Sequence, residues 1–185
     1  MKKTMNLFMS VLILAGFLTS MGLFSDDQKE REKKMDYFSF AGKRISYDRK
    51  EVVSDVAVSS YQSDGRFTML DEIWKPGFAV IPHCHYTHSE IFYIISGEVE
   101  WTVNGETHVM KAGDSLYIPP KAVHAVRVVG NQDLHTLMLY APGGYEDQIE
   151  REKEYTEEQL KDPKIKAKVR KLDDFNPMPM PKKMD

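Results

Sequence analysis

The chain has 185 residues, 42% of them apolar, and a formal net charge of −3. That is enough apolar material for one modest core with charged extensions, and with no basic stripe interleaved with aromatics, nucleic acid is not an expected partner. The single cysteine, Cys84, excludes an intramolecular disulfide.

The first residues are set apart from the rest. Lys2 and Lys3 precede an almost wholly apolar run from Leu7 to Phe24, and Ser20-Met21-Gly22 offers small residues where a signal peptidase would cut. Residues 1–22 therefore read as a secretory signal peptide. An uncleaved anchor in the inner membrane is the alternative, because about 18 apolar residues is the lower limit for a span. No cysteine follows the run and no arginine pair precedes it, which excludes lipoprotein and twin-arginine signals. The expected destination is the bacterial periplasm or the exterior. Residues 23–37 contain the charge run Asp26 to Lys34 and read as a solvated linker.

Strand-like segments occupy residues 38–144. Phe38-Ser39-Phe40 and Arg44 to Tyr47 alternate weakly, and Val52 to Ser60 alternates better. Phe67 to Trp74, Ala79 to His85, Ile91 to Ser96 and Glu98 to Val103 follow. Asn104-Gly105 marks a two-residue hairpin into Thr107 to Lys111, since both positions tolerate positive φ. Leu116 to Ile118, His124 to Val129 and Leu134 to Tyr140 complete the set. Short strands with frequent turns predict an all-β antiparallel sandwich or barrel.

After Pro142-Gly143-Gly144, residues 145–185 read as a helical and proline-rich extension. Tyr145 to Leu160 favours helix by composition. Asp162-Pro163 starts a short helix, with Ile165, Val169 and Leu172 on one face and lysines opposite, which predicts packing on the barrel. Pro177, Pro179 and Pro181 predict an extended tail.

The chemistry concentrates in His83, His85, Glu90 and His124. Residues two apart on a strand share a face, so His83 and His85 can grip one ion while Cys84 points away as a buried filler. Glu90 starts the next strand, and His124 arrives from one further along. Three neutral imidazoles and a carboxylate would leave a divalent ion near +1, and an ion preferring six ligands would keep two positions open. By the same parity Ala79 and Ile81 should face the ion with His83, Phe92 and Ile94 with Glu90, and Val126 with His124. Met69, Met138 and Tyr140 are further expected pocket residues. His88 reads as a loop histidine at the barrel mouth; His108 and His135 read as surface or barrel-wall residues.

These spacings resemble the two motifs of the cupin superfamily. Gly77, His83, His85, Glu90 and Gly97 meet every position of the first; Gly113, Pro119 and His124 match the second, with Lys121 and Val128 where the family usually has Gly and Asn. The flanks Asp64 to Glu72 and Tyr140 to Glu146 are similar to those of small, single-domain quercetin-dioxygenase-like cupins. The resemblance implies a cupin jelly-roll barrel holding one divalent metal ion. It further implies an oxygenase acting with O₂ on a small aromatic or enolic substrate, with Glu90 as the catalytic group, either a fixed ligand or one that leaves to take a substrate proton. A metal-dependent isomerase, lyase or hydrolase, and a non-catalytic cupin that binds metal or a small ligand, are the alternatives. Copper or zinc is the expected metal for protein exported by the general route; iron, manganese or nickel would suit a cytoplasmic site. The subunit count stays open, with a homodimer among the options.

Overall fold

The computed structural model describes residues 37–170 and 174–183. The signal or anchor segment, nearly all of the charged linker, and Leu172 lie outside the described residues. Among the described residues no helix is long and apolar enough to cross a membrane. From Phe38 on the chain forms one compact unit.

Eleven strands pair antiparallel in two sheets. They are β1 (Ser46–Asp48), β2 (Val52–Val58), β3 (Thr68–Trp74), β4 (Ala79–Cys84), β5 (Ser89–Ser96) and β6 (Glu98–Val103). Then come β7 (Glu106–Lys111), β8 (Ser115–Ile118), β9 (His124–Val129), β10 (Leu134–Ala141) and β11 (Asn176–Pro177). One sheet runs β1-β2-β3-β10-β5-β8 and the other β11-β4-β9-β6-β7. This is a jelly roll, and the strands read from alternation fall within a few residues of those observed, except that residues 38–40 form none.

Alternation places the core between the sheets. On β3, Thr68, Leu70, Glu72 and Trp74 are buried while the residues between them are not. On β10, Leu134, Thr136, Met138 and Tyr140 do the same. Leu70, Ile94, Val99 and Leu134 are fully enclosed. Burying each such side chain stabilises the fold by about 1.5–3 kcal/mol. Trp74 packs on Phe92 and Phe78, and Trp101 on Phe92, with ring centroids 5.9, 5.1 and 4.6 Å apart. Gly97 links β5 to β6 at φ +84°, where a Cβ would lie 2.6 Å from the Asp133 carbonyl oxygen. That position of the first motif therefore has a steric reason as well as a conformational one.

Two parity expectations fail. Val80 pairs with Val126 but His83 with His124, so three residues on β4 face two on β9. This bulge flips the facing between them, and Pro82, which lacks an N–H, sits within it. Ala79 and Ile81 consequently point outward, Ile81 being 55% exposed, and Val80 packs against the core instead. Met69 also faces outward, because its neighbours Thr68 and Leu70 take the interior.

In the C-terminal extension the helix-favouring stretch is divided in two. Helix α1 (Tyr145–Glu152) stops, and α2 (Glu157–Leu160) begins anew. The Thr156 hydroxyl accepts from the Gln159 N–H while the Gln159 side chain takes the Thr156 N–H, a reciprocal cap that favours a fresh start over continuation. Ile149 enters the core, and Glu146 anchors α1 by accepting from Ser60 N–H and the Thr68 hydroxyl. Helix α3 (Pro163–Arg170) buries Val169 and keeps its lysines outside. The proline-rich tail is not free: Asn176 and Pro177 pair with Cys84 and His83, and Met178 N–H donates to Pro82 O at 3.1 Å.

Candidate metal centre

The ends of two paired strands bring the imidazoles together. His83 lies in β4, His85 follows its end, and His124 opens β9 opposite His83. Ring centroids are 4.1 Å apart for His83 and His124, 5.1 Å for His83 and His85, and 5.6 Å for His85 and His124. One ligand atom from each lies within 4.8 Å of the others, and all three residues are buried. These imidazoles could hold a metal ion.

The backbone aims them. His83 Nδ1 lies 2.8 Å from Ile81 O and His124 Nδ1 2.9 Å from Ala122 O, so each Nδ1–H donates to a carbonyl and leaves Nε2 for the site. His85 Nδ1 lies 3.3 Å from the Tyr140 hydroxyl, which fixes its ring in the same sense. Such outer partners set tautomer and orientation in metal sites. The carbonyl of His85 in turn accepts from Lys121 N–H at 2.6 Å. Lys121 reaches that bond at φ +70°, the left-handed conformation that explains why its motif position usually carries glycine.

Glu90, in β5, stands beside the cluster. Its Oε2 is 3.0 Å from His124 Nε2 and its Oε1 is 3.6 Å from His85 Nε2. Oε2 and His124 Nε2 are both buried without a hydrogen-bond partner. With Nδ1–H committed to Ala122, Nε2 presents a lone pair to a carboxylate oxygen, and a shared cation relieves that conflict. The charge states agree. Burial, then neighbouring His124, pushes His83 down to about 3, so it is neutral at pH 7. Burial alone would raise Glu90, but His124, His85 and His83 outweigh it and hold the carboxyl below the usual range.

The remaining histidines stay outside the cluster. His88 stacks on Tyr140 with centroids 4.5 Å apart, and its Nδ1 lies 3.0 Å from the Thr87 hydroxyl. His108 pairs with Glu106 on the surface, and His135 meets Asp71 at 2.6 Å on the outer face of β10. Cys84 is buried beneath β11 and away from the cavity, and burial followed by Asp174 raises its pKa.

The imidazoles line a cavity of about 90 Å³ whose walls include Phe92, Trp101, Val126 and Met138. Ile94 and Tyr140, expected there, belong to the core, with Tyr140 acting through His85. Several lining residues, Trp101 among them, escaped the sequence reading. Phe175, from the C-terminal segment, stacks on His83 with centroids 4.1 Å apart. Glu72, buried, and Arg49, half-buried, line the cavity as an ion pair at 3.3 Å. Glu72 shares parity with Leu70 and Trp74, a signal that could have revealed it. Nothing in the sequence brings Arg49 to it, nor Phe175 to His83.

Comparison with known proteins agrees with this geometry. Residues 71–140 match the family model described as a cupin domain. An RmlC-like cupin from Shewanella frigidimarina NCIMB 400 superposes with a TM-score of 0.52 at 20% identity, covering 60% of this chain and 96% of that one. An uncharacterized protein of Methanocaldococcus jannaschii is 37% identical over 81 residues, 43% of this chain and 65% of that protein. Quercetin 2,3-dioxygenase of Bacillus subtilis is 26% identical over 73 residues, 40% of this chain and 22% of the enzyme. The chain thus spans less than two thirds of the length of these two curated relatives. The barrel thus has the cupin fold and matches a cupin domain over residues 71–140.

Proposed function

We propose that this chain is a single-metal cupin oxygenase. In this reading His83, His85 and His124 through Nε2, and Glu90 through its carboxylate, hold one divalent ion, and a compact oxygen-bearing substrate reacts with O₂. The convergence of His124 Nε2 and Glu90 Oε2, buried, unpartnered and 3.0 Å apart beside two further imidazoles, carries the reading. The similarity to a quercetin 2,3-dioxygenase supports the reaction class. When bound, the ion supplies Lewis acidity and, if redox-active, an electron path.

The chain's own residues set the limits. Phe92, Trp101, Val126 and Met138 give the substrate side an apolar wall. Glu90 serves as ligand, or leaves to take a substrate proton. Held low by its imidazoles, it is an anion at neutral pH and a weak base in the resting site. A cavity of about 90 Å³ is well below the roughly 300–1,000 Å³ of drug-sized pockets, so the substrate is small. That volume favours an enolic dicarbonyl or small acid over a flavonol.

Export, if residues 1–22 direct it, bears on the metal. A donor set without sulfur follows the usual affinity order, so copper or zinc should predominate in exported protein and iron, manganese or nickel in signal-less cytoplasmic protein. Metal analysis of both preparations, with oxygen uptake on pentane-2,4-dione and on pyruvate, tests the reading. A redox metal with substrate-dependent oxygen uptake supports it. Stoichiometric zinc without uptake overturns the oxygenase and moves the assignment to an isomerase, lyase or hydrolase.

A further inference from the structure

The cavity holds hydrogen-bonding capacity that the imidazole cluster does not use. Arg49 lies in the turn between β1 and β2. Its Nη2 donates to the Ser54 hydroxyl at 2.7 Å and to Glu72 Oε1 at 3.3 Å, and its Nη1 to the Tyr145 hydroxyl at 3.4 Å. Its Nε–H is buried and has no partner. Trp101, 4% exposed in β6, has an indole N–H that is likewise buried and unpartnered. Both side chains line the cavity.

Neither N–H reaches a protein acceptor, and the carboxylate beside Arg49 is already engaged. Glu72 accepts from Ser54 and Arg49 on Oε1 and from Trp74 Nε1 on Oε2, the last at 2.7 Å. A desolvated N–H without an acceptor is uncommon and costly, and two facing one small cavity point to acceptor oxygens arriving with a ligand. Charge narrows the class. Glu72 answers Arg49, and Glu90 on a divalent ion leaves one positive charge. A ligand carrying one negative charge neutralises the interior, whereas an uncharged one leaves that charge buried.

We propose that the cavity binds a compact, singly charged carboxylic acid whose oxygens are divided between the histidine cluster and two N–H donors, Arg49 Nε and Trp101 Nε1. The count of charges rests on the single-metal reading above; the two donors do not. Arg49 and Trp101 are thus specificity-determining residues, and they select an acid over an uncharged dicarbonyl of similar size.

The chain's two tryptophans, Trp74 and Trp101, both line this cavity, so tryptophan emission reports its occupancy. The test titrates the full, zinc-loaded chain with pyruvate and, separately, with pentane-2,4-dione. Pyruvate should change the emission saturably and bind more tightly than the dione. In Trp101→Phe, read through Trp74, pyruvate should bind about tenfold more weakly, the size expected for one charge-assisted hydrogen bond. Zinc content and dione affinity should not move. Arg49→Lys keeps the charge that Glu72 needs and should also weaken pyruvate. If zinc binds but both variants leave pyruvate affinity unchanged, or the dione binds as tightly as pyruvate, the proposal is overturned with the metal reading intact. If zinc does not bind yet Trp101-dependent pyruvate binding persists, the metal reading falls and the acid site stands.

Discussion

The two ends of the barrel cavity are both buried and pose opposite problems. At one, His83, His85, His124 and Glu90 gather electron-pair donors, and two of those atoms face each other at 3.0 Å with no hydrogen bond. At the other, Arg49, Ser54, Glu72, Trp74 and Tyr145 match donors to acceptors in one network. The first end lacks a positive charge. The second has its charges balanced and lacks only acceptors for single N–H groups. Burial does not distinguish a metal site from a structural ion pair; the sign of the unmet demand does.

The comparison breaks most readily at the histidine end. His83→Ala and His124→Ala should each lower metal affinity by more than roughly a hundredfold, since even outer partners of ligands are worth 10–100-fold, and should abolish the thermal stabilisation that metal gives. Glu90→Gln keeps its size and should fold normally while binding metal more weakly. Metal content after exhaustive dialysis reads all three, and near-equimolar metal in both histidine variants would show that the cluster is not the site.

The opposite end should respond in stability and not in metal content. Arg49→Met leaves Glu72 buried without its counter-charge, which costs about 3–5 kcal/mol in urea unfolding. Burial already raises the Glu72 pKa despite Arg49, Ser54 and Trp74, so a second change, Glu72→Gln, should recover much of the loss. A cost below about 1 kcal/mol in the single variant would place the pair in solvent-like surroundings.

Acid separates the ends further. His83 is pushed down to about 3 from an ordinary 6.5, first by burial and then by His124. Between those values the unfolded chain binds more protons than the folded one. Stability is therefore fully present above pH 6.5 and is lost as pH falls towards 3. Metal-free protein should lose on the order of 3–5 kcal/mol across that window. Urea midpoints at pH 7, 5 and 4 check it, and a flat profile would mean that His83 is solvated.

The smallest effect concerns Lys121. Its φ of +70° disfavours a side chain, so Lys121→Gly should stabilise by about 1 kcal/mol, the relief of strain exceeding the entropy gained by the unfolded chain. A destabilised variant would show that the lysine side chain makes a contact worth more than the strain.

What the sequence showed and what it hid follow a physical line. Strand alternation and turn residues are local, so the strands were legible from spacing, and the meeting of His83, His85, Glu90 and His124 followed from the resemblance to the cupin motifs. Parity failed at Ala79, Ile81 and Met69. For the first two the cause is one extra residue near Pro82, which inverts the facing and leaves no mark in a count of positions. For Met69 the wrong face was chosen, although Leu70, Glu72 and Trp74 carried the stronger alternation. Arg49 and Glu72 meet across 23 residues, and Phe175 reaches His83 across more than ninety. Such pairings depend on how strands are ordered in a sheet, and no local pattern encodes that order.

The way the C-terminal segment lies along β4 has a consequence for self-association. Met178 turns its N–H towards Pro82, so Pro177 beside it directs its backbone outward, and a proline has no N–H to offer there. The rim of the sheet at this short strand is therefore a poor template for an incoming strand. The segment that stacks Phe175 on His83 thus also guards the protein against fibril-like growth from this rim.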